Sequence, residues 1–177
     1  MLIRKLSPAG PQGAARPTAL VVEDDPQLQR ALSKQLARLD FLVLSASHYD
    51  GAVWHLAEQE PQVVCIDVGL PNKSGYELCE HIRGSLRLEQ LPILMMSEYG
   101  SPQDRAYAED AGASAFLRKR FSMLQFTRCI ESLSAAARWG TPPESELGWT
   151  IASAPSNRRA EQAGPRNDGE RLHAHAC

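Results

Sequence analysis

Acidic side chains follow two apolar runs of this chain, at the point where each run ends. Glu23 and Asp24 come directly after the run 19–22, and Asp67 follows the run 63–66. Open parallel α/β sheets place their sites at the edge formed by the carboxyl ends of the strands. Carboxylates gathered there repel one another, and a bound cation relieves that repulsion. The sequence therefore predicts a metal-assisted site in which Asp67 takes part.

The residue types in this pattern suit phosphoryl chemistry. Oxygen ligands are those that Mg²⁺ prefers, held by one or two carboxylates together with a phosphate. A carboxylate is also a competent nucleophile toward phosphorus and gives an acyl phosphate. Lys119 would neutralise a phosphoryl oxygen as a point charge, and the Ser97 hydroxyl would hydrogen-bond the new group. Both residues follow or end further apolar runs, so they are expected at the same edge.

Five short apolar segments alternate with five segments of helical periodicity between residues 18 and 137. Short apolar strands that alternate with helices indicate a parallel sheet covered on both faces, which is a doubly wound α/β fold. The predicted strands are 18–23, 41–45, 62–67, 91–97 and 115–118. The predicted helices are 26–40, 50–59, 75–84, 102–111 and 122–137.

Several residues mark the ends and buried faces of these helices. Asp25 before Pro26 is typical of an N-cap followed by proline at the first helical position. Gly112 predicts the C-terminal end of the fourth helix. Leu124, Ile130 and Leu133 of the fifth helix are expected to face the core, and Trp54 is expected to pack the second helix against its surroundings.

Taken together, these residues resemble the receiver domain of two-component response regulators. The matching segments are Val-Glu-Asp-Asp at 22–25, the turn from Asp67 through Leu70-Pro71 to Gly75, Ser97, and Phe-Leu-Arg-Lys-Arg-Phe at 116–121. They stand in the family's order and at its spacing, and the resemblance covers about residues 18–137. Each element alone is a weak signal, but all of them in order form a strong one.

The resemblance implies a five-stranded flavodoxin-like receiver fold and a role for each matching residue. Asp67 would be the phospho-acceptor, Asp24 a direct Mg²⁺ ligand, and Glu23 a ligand acting mostly through water. The Gly69 backbone carbonyl would complete the protein ligands. Ser97 and Phe116 would form the switch pair, although Phe116 suits a core position equally well. The phosphoryl donor would be a sensor histidine kinase or a phosphotransfer protein. The phosphorylated chain would act on a downstream protein target, and it would not be an enzyme.

Two positions depart from the family pattern. The residue after Lys119 is Arg120, whereas the family usually has proline there in a cis peptide. A cis bond before a non-proline residue costs about 2.5–4 kcal/mol, so this loop is expected in trans and with a different shape. The residue after Ser97 is usually small and is Glu98 here, which predicts slower phosphorylation by repulsion of the donor. Pairing of Glu98 with Arg120 is the alternative.

Composition limits the other functions. The cationic residues before residue 18 are Arg4, Lys5 and Arg16, the segment 18–137 is net acidic, and the chain as a whole has a formal charge of −2. A net-acidic core without a basic stripe argues against direct nucleic-acid binding by that core. The four cysteines form no C-x-x-C pair, which favours free thiols in a reducing cytoplasm. No apolar stretch approaches the length of a membrane span.

Breaker residues divide the chain into three parts. Residues 1–17 are expected to form a flexible arm, 18–138 the receiver domain, and 139–177 a low-complexity, disordered tail. The tail ends in His-Ala-His-Ala-Cys, which is better explained as a solvated terminus than as a metal site.

Three other functions remain open. A truncated DNA-binding transcriptional regulator would explain Gly-Trp-Thr-Ile at 148–151 as the remnant of an output domain. An aspartyl-phosphate phosphatase would need a second Asp where Gly69 stands. A degenerate receiver that binds partners without phosphorylation would explain Glu98 and Arg120.

Overall fold

The computed structural model describes residues 16–139 and contains one parallel sheet of five strands in the order β2-β1-β3-β4-β5. The strands are β1 Thr18–Val22, β2 Leu42–Ala46, β3 Val63–Asp67, β4 Ile93–Ser97 and β5 Ala115–Arg118. The order reverses between β1 and β3, whose registered pairs run from Ala19 opposite Val63 to Val22 opposite Ile66. This reversal is the topological switch point at which open α/β sheets bind ligands.

Strand alternation gives the sheet two apolar faces, each buried under helices. In β1, Leu20 and Val22 belong to one core cluster, and Ala19 and Val21 to the other. Strands β3, β4 and β5 alternate in the same way, and β3 and β4 are buried along their whole length. Near-continuous apolar strands are what a sheet covered on both faces requires. The doubly wound α/β architecture expected from the sequence is confirmed.

Five helices connect and cover the strands. They are α1 Pro26–Arg38, α2 Tyr49–Glu58, α3 Gly75–Arg83, α4 Pro102–Asp110 and α5 Met123–Trp139. Asp25 caps α1 by accepting from the amides of Gln27 and Leu28, as its sequence position predicts. Gly112 lies just past the end of α4 with φ +88°, a conformation open to glycine, so that prediction is confirmed as well.

Two of the side chains expected to pack against neighbouring elements lie on the surface instead. Trp54 of α2 is 61% exposed and Leu124 of α5 is 59% exposed, so both predictions are wrong. Leu56 on α2 and Phe126 on α5 are buried in their place. Helical periodicity identifies an apolar stripe, but it does not say which edge of that stripe meets the sheet.

The ends of the domain lie at the limits of the described residues. The Pro17 carbonyl accepts from the Leu42 amide at 2.8 Å, and Arg16 pairs with Asp40 at 2.9 Å. Residues 1–15 and 140–177 lie outside the described part of the chain. The expectations for the rest of the arm, for the tail, for the segment 148–151 and for the terminal histidines fall on these residues. Within the described part of the chain, no helix is both long and apolar enough to cross a membrane.

Candidate functional site

Three carboxylates meet at the switch point of the sheet. Each of Glu23, Asp24 and Asp67 offers one oxygen, and these atoms lie within 4.8 Å of one another. Glu23 follows β1 and is completely buried, Asp67 ends β3 and is 3% exposed, and Asp24 faces solvent. The acidic residues at two strand ends are therefore brought together as the sequence predicts.

Lys119 neutralises part of this negative charge. Its ammonium lies 2.9 Å from Asp67 Oδ2 and 3.0 Å from Glu23 Oε1. Its backbone amide donates to the Ser97 carbonyl at 2.7 Å, which extends the pairing of β5 with β4 by one residue. Buried carboxylates of this kind are stable when they are paired with a cation and hydrogen-bonded. The ion pairs raise the pKa of Lys119 against the opposing effect of its burial.

The buried position of Glu23 has a cost. Burial and, to a smaller extent, the charge of Asp67 raise the pKa of its carboxyl to about 7, against the opposing effect of Lys119. One carboxylate oxygen, Oε2, is buried and without a hydrogen-bond partner among the described residues. A cation bound between the carboxylates would satisfy this oxygen and stabilise the ionised form.

The donor set therefore fits a hard divalent cation such as Mg²⁺. The candidate ligand atoms are carboxylate oxygens, which Mg²⁺ prefers over nitrogen or sulfur. Asp67 Oδ1 accepts the Gly69 amide at 3.1 Å, so the backbone at Gly69 lies against the same carboxylate.

Ser97 ends β4, the strand next to that of Asp67, and Phe116 lies on β5, one strand farther along the sheet. Ser97 is 3% exposed, and its hydroxyl accepts from the Tyr99 amide at 3.2 Å. Phe116 is 6% exposed and belongs to the core cluster that also holds Ala108 and Ala111 around the end of α4. The ring of Phe116 is therefore packed inward in this conformation, as expected for a core residue.

The two departures from the family pattern lie on one surface groove. Glu98 and Arg120 are exposed and line a cavity of about 790 Å³ together with Lys119, Arg118 and Arg105. No ion pair joins Glu98 to Arg120 within residues 16–139, which removes that alternative for the described conformation. The Lys119–Arg120 peptide is trans, as expected, and Arg120 has φ +70°.

Gly75 belongs to the motif that carries the family resemblance, and the structure supplies the physical reason for a glycine at this position. A Cβ at this position would lie 2.1 Å from the carbonyl oxygen of Asp67 and 2.9 Å from Ile66 Cγ2. The start of α3 can therefore approach the end of β3 only if residue 75 has no side chain. Close backbone approach is a use of glycine that sequence reasoning can suspect but cannot locate.

The family model of the response regulator receiver domain matches residues 19–131. This chain belongs to that family. The receiver domain is 37% identical over 122 residues to the transcriptional regulatory protein KdpE of Mycobacterium tuberculosis, covering 69% of this chain and 51% of that protein. It is 32% identical over 120 residues to the transcriptional regulatory protein GltR of Pseudomonas aeruginosa, covering 68% of this chain and 50% of that protein.

Solved structures agree with this assignment. A putative response regulator from Chloroflexus aurantiacus matches the receiver domain with a TM-score of 0.65 and 27% identity, over 68% of this chain and 99% of that one. The chain spans about half the length of the two transcriptional regulators named above. Its relatives are signalling proteins of two-component systems.

Proposed function

We propose that the protein is a phosphorylation-dependent signalling switch in which Asp67 accepts a phosphoryl group. The observation that carries this proposal is the placement of Lys119 2.9 Å from Asp67 Oδ2, inside a cluster of three carboxylates at the switch point. An ammonium at that distance orients the acceptor carboxylate and later balances the charge of the phosphoryl oxygens. The donor would be a sensor histidine kinase or a phosphotransfer protein in the cytoplasm.

The reaction needs few groups from the protein. A carboxylate oxygen of Asp67 forms a bond to phosphorus as the bond from phosphorus to the donor breaks, and the leaving group departs with the electron pair. Glu23, Asp24, Asp67 and the Gly69 carbonyl would hold Mg²⁺, which supplies charge neutralisation for the transferring group. Asp67 would keep the phosphoryl group after the transfer until hydrolysis returns the free carboxylate, and the phosphorylated state would be the signal.

The new group changes the neighbourhood of Ser97 and Phe116. Phosphorylation adds about −1.5 to −2 of charge and three strong acceptor oxygens. The Ser97 hydroxyl would donate to one of these oxygens, and the ring of Phe116 would repack behind it. The changed surface of α4, β5 and α5 would then set the affinity for a downstream protein target.

A small-molecule donor tests the proposal without knowledge of the kinase. The protein is incubated with acetyl phosphate and Mg²⁺, and hydroxylamine-labile phosphate is measured by intact mass. We expect the wild type to gain one phosphoryl group and Asp67→Asn to gain none, because an amide is not a nucleophile here. Asp110→Asn, the same change at an exposed position of α4, should label as the wild type does. Absence of label in the wild type would favour a degenerate receiver.

A second candidate function is transcriptional regulation through DNA. It is supported by the names of the relatives, which are transcriptional regulatory proteins. The described domain is not expected to carry DNA binding itself, because it is acidic apart from the groove that holds Lys119. An electrophoretic mobility shift assay of the whole chain, with and without acetyl phosphate, separates the two functions.

A further inference from the structure

Arg120 joins two parts of the chain that are both fixed. On one side, Lys119 is bound through its amide to Ser97 and through its ammonium to Asp67 and Glu23. On the other side, the Phe121 ring packs against Phe126 with 6.0 Å between ring centroids. The chain bends at residues 119 and 120, between these two anchors.

The next residues fix the start of the following helix as well. The Ser122 amide and hydroxyl donate to Gln125 Oε1 at 2.8 and 3.1 Å, and the Gln125 amide donates back to the Ser122 hydroxyl at 3.2 Å. This reciprocal arrangement is a capping box, with glutamine in the acceptor position. Because α5 begins at Met123, the loop has no spare length in which to turn.

The backbone of Arg120 makes the turn by adopting the left-handed conformation, with φ +70° and a trans peptide before it. Residues other than glycine, asparagine and aspartate adopt this conformation reluctantly. The guanidinium offers no compensation, since it forms neither a hydrogen bond nor an ion pair with any residue in 16–139. The structural contribution of this residue therefore lies in its backbone.

We propose that Arg120 is a positioning residue: its left-handed backbone, in place of the family's proline, aims the Lys119 ammonium at Asp67 and Glu23. This inference rests on the proposed function, because Lys119 then acts on the phosphoryl group held by Asp67. It adds that the aim of Lys119 depends on a conformational preference at residue 120 and not on the charge of that residue.

Three substitutions separate backbone from charge, because all of them remove the guanidinium. Glycine adopts the left-handed region freely, asparagine tolerates it, and valine is strongly disfavoured there. We expect Arg120→Gly and Arg120→Asn to label with acetyl phosphate at nearly equal rates. Arg120→Val should label about tenfold more slowly than either, in line with the cost of forcing a β-branched residue into this region.

Magnesium affinity supplies a readout that general damage to the fold would not give. The Lys119 ammonium places a positive charge 2.9 Å from Asp67 Oδ2 and 3.0 Å from Glu23 Oε1, and this charge opposes a cation bound to the same carboxylates. If valine turns Lys119 away, Arg120→Val should bind Mg²⁺ more tightly than Arg120→Gly, as measured by isothermal titration calorimetry. Adding Lys119→Ala to both variants should make the two affinities equal.

The outcomes are distinct. Slow labelling with raised Mg²⁺ affinity in Arg120→Val alone supports the proposal. Equal labelling of the valine and glycine variants overturns it, and so does a parallel loss of labelling and Mg²⁺ affinity, which indicates local unfolding. If the wild type does not label at all, the proposed function fails. The Mg²⁺ affinities of the glycine and valine variants then decide the role of Arg120 by themselves.

Discussion

At the scale of single residues, the most important group of the site is the Lys119 ammonium, which two carboxylates share. Lys119 is within 3.0 Å of both Glu23 and Asp67. These two acids are buried, whereas Asp24 is exposed to solvent. Asp67 is therefore oriented by a fixed charge, whereas Asp24 is free to accept a ligand from solution. This division of roles supports Asp67 as the acceptor and Asp24 as a metal ligand.

Glu98 adds a negative charge to the surface groove that also holds Lys119, the residue whose ammonium contacts Asp67. It is exposed, directly follows Ser97, and lines the same cavity as Lys119. Interaction between surface charges in water is worth about 1 kcal/mol or less at short range and is screened by salt. We expect Glu98→Gln to label with acetyl phosphate roughly two- to fivefold faster at low ionic strength.

The matched control is Glu109→Gln, which removes the same charge from an exposed position on α4. It should leave the labelling rate unchanged, and the gain from Glu98→Gln should shrink at high salt. A gain of equal size in both variants would assign the effect to net charge, and no gain in Glu98→Gln would contradict the expectation that Glu98 repels the donor.

At the scale of the elements, the close approach of α3 to β3 sets the position of Asp67. A side chain at Gly75 would overlap the Asp67 carbonyl oxygen at 2.1 Å. Gly75→Ala should lower the free energy of unfolding by about 1–3 kcal/mol, the usual cost of overpacking a buried site. It should also slow the labelling of Asp67, because the strand end must shift. Urea unfolding followed by circular dichroism measures the first effect.

Gly84→Ala is the control for that substitution. Gly84 ends α3 in the ordinary helical region with φ −72°, and an added Cβ would be 3.4 Å from its nearest neighbour, the Glu80 carbonyl oxygen. Alanine at a helical position is favourable relative to glycine, so this variant should unfold at the same or higher urea concentration. Equal destabilisation by the two variants would contradict the steric account of Gly75.

The order and type of the elements could be predicted from the sequence, because local signals carry them. Asp25 and Pro26 mark the start of α1, and acids mark the ends of β1 and β3. Boundaries differ by one or two residues: β4 begins at Ile93, after a proline that has no amide to donate, and not at 91. The surface positions of Trp54 and Leu124 could not be predicted, since they depend on which neighbour each helix face meets.

The aim of Lys119 could not be predicted either. The sequence shows Arg120 where the family usually has proline, which predicts a trans loop of different shape. The trans peptide is confirmed, yet the ammonium reaches both carboxylates. A left-handed φ at a residue other than glycine is decided by its surroundings, so the sequence alone does not reveal it.

At the scale of the whole molecule, topology brings together groups that are far apart in the chain. Glu23 and Lys119 are 96 positions apart and lie 3.0 Å apart, because parallel strands all end at one edge of the sheet. The order reversal between β1 and β3 opens the crevice that holds the carboxylates. The rest of the sheet and its two cores serve to hold these strand ends in register.

The most direct measurement of the central claim locates the phosphoryl group on the chain. After incubation with acetyl phosphate and Mg²⁺, borohydride reduces an acyl phosphate to an alcohol, which converts the modified aspartate to homoserine. Peptide mass mapping then identifies the position. The account predicts homoserine at residue 67 in the wild type and no modified aspartate in Asp67→Asn. Modification at Asp24 instead, or none anywhere in the wild type, would contradict it.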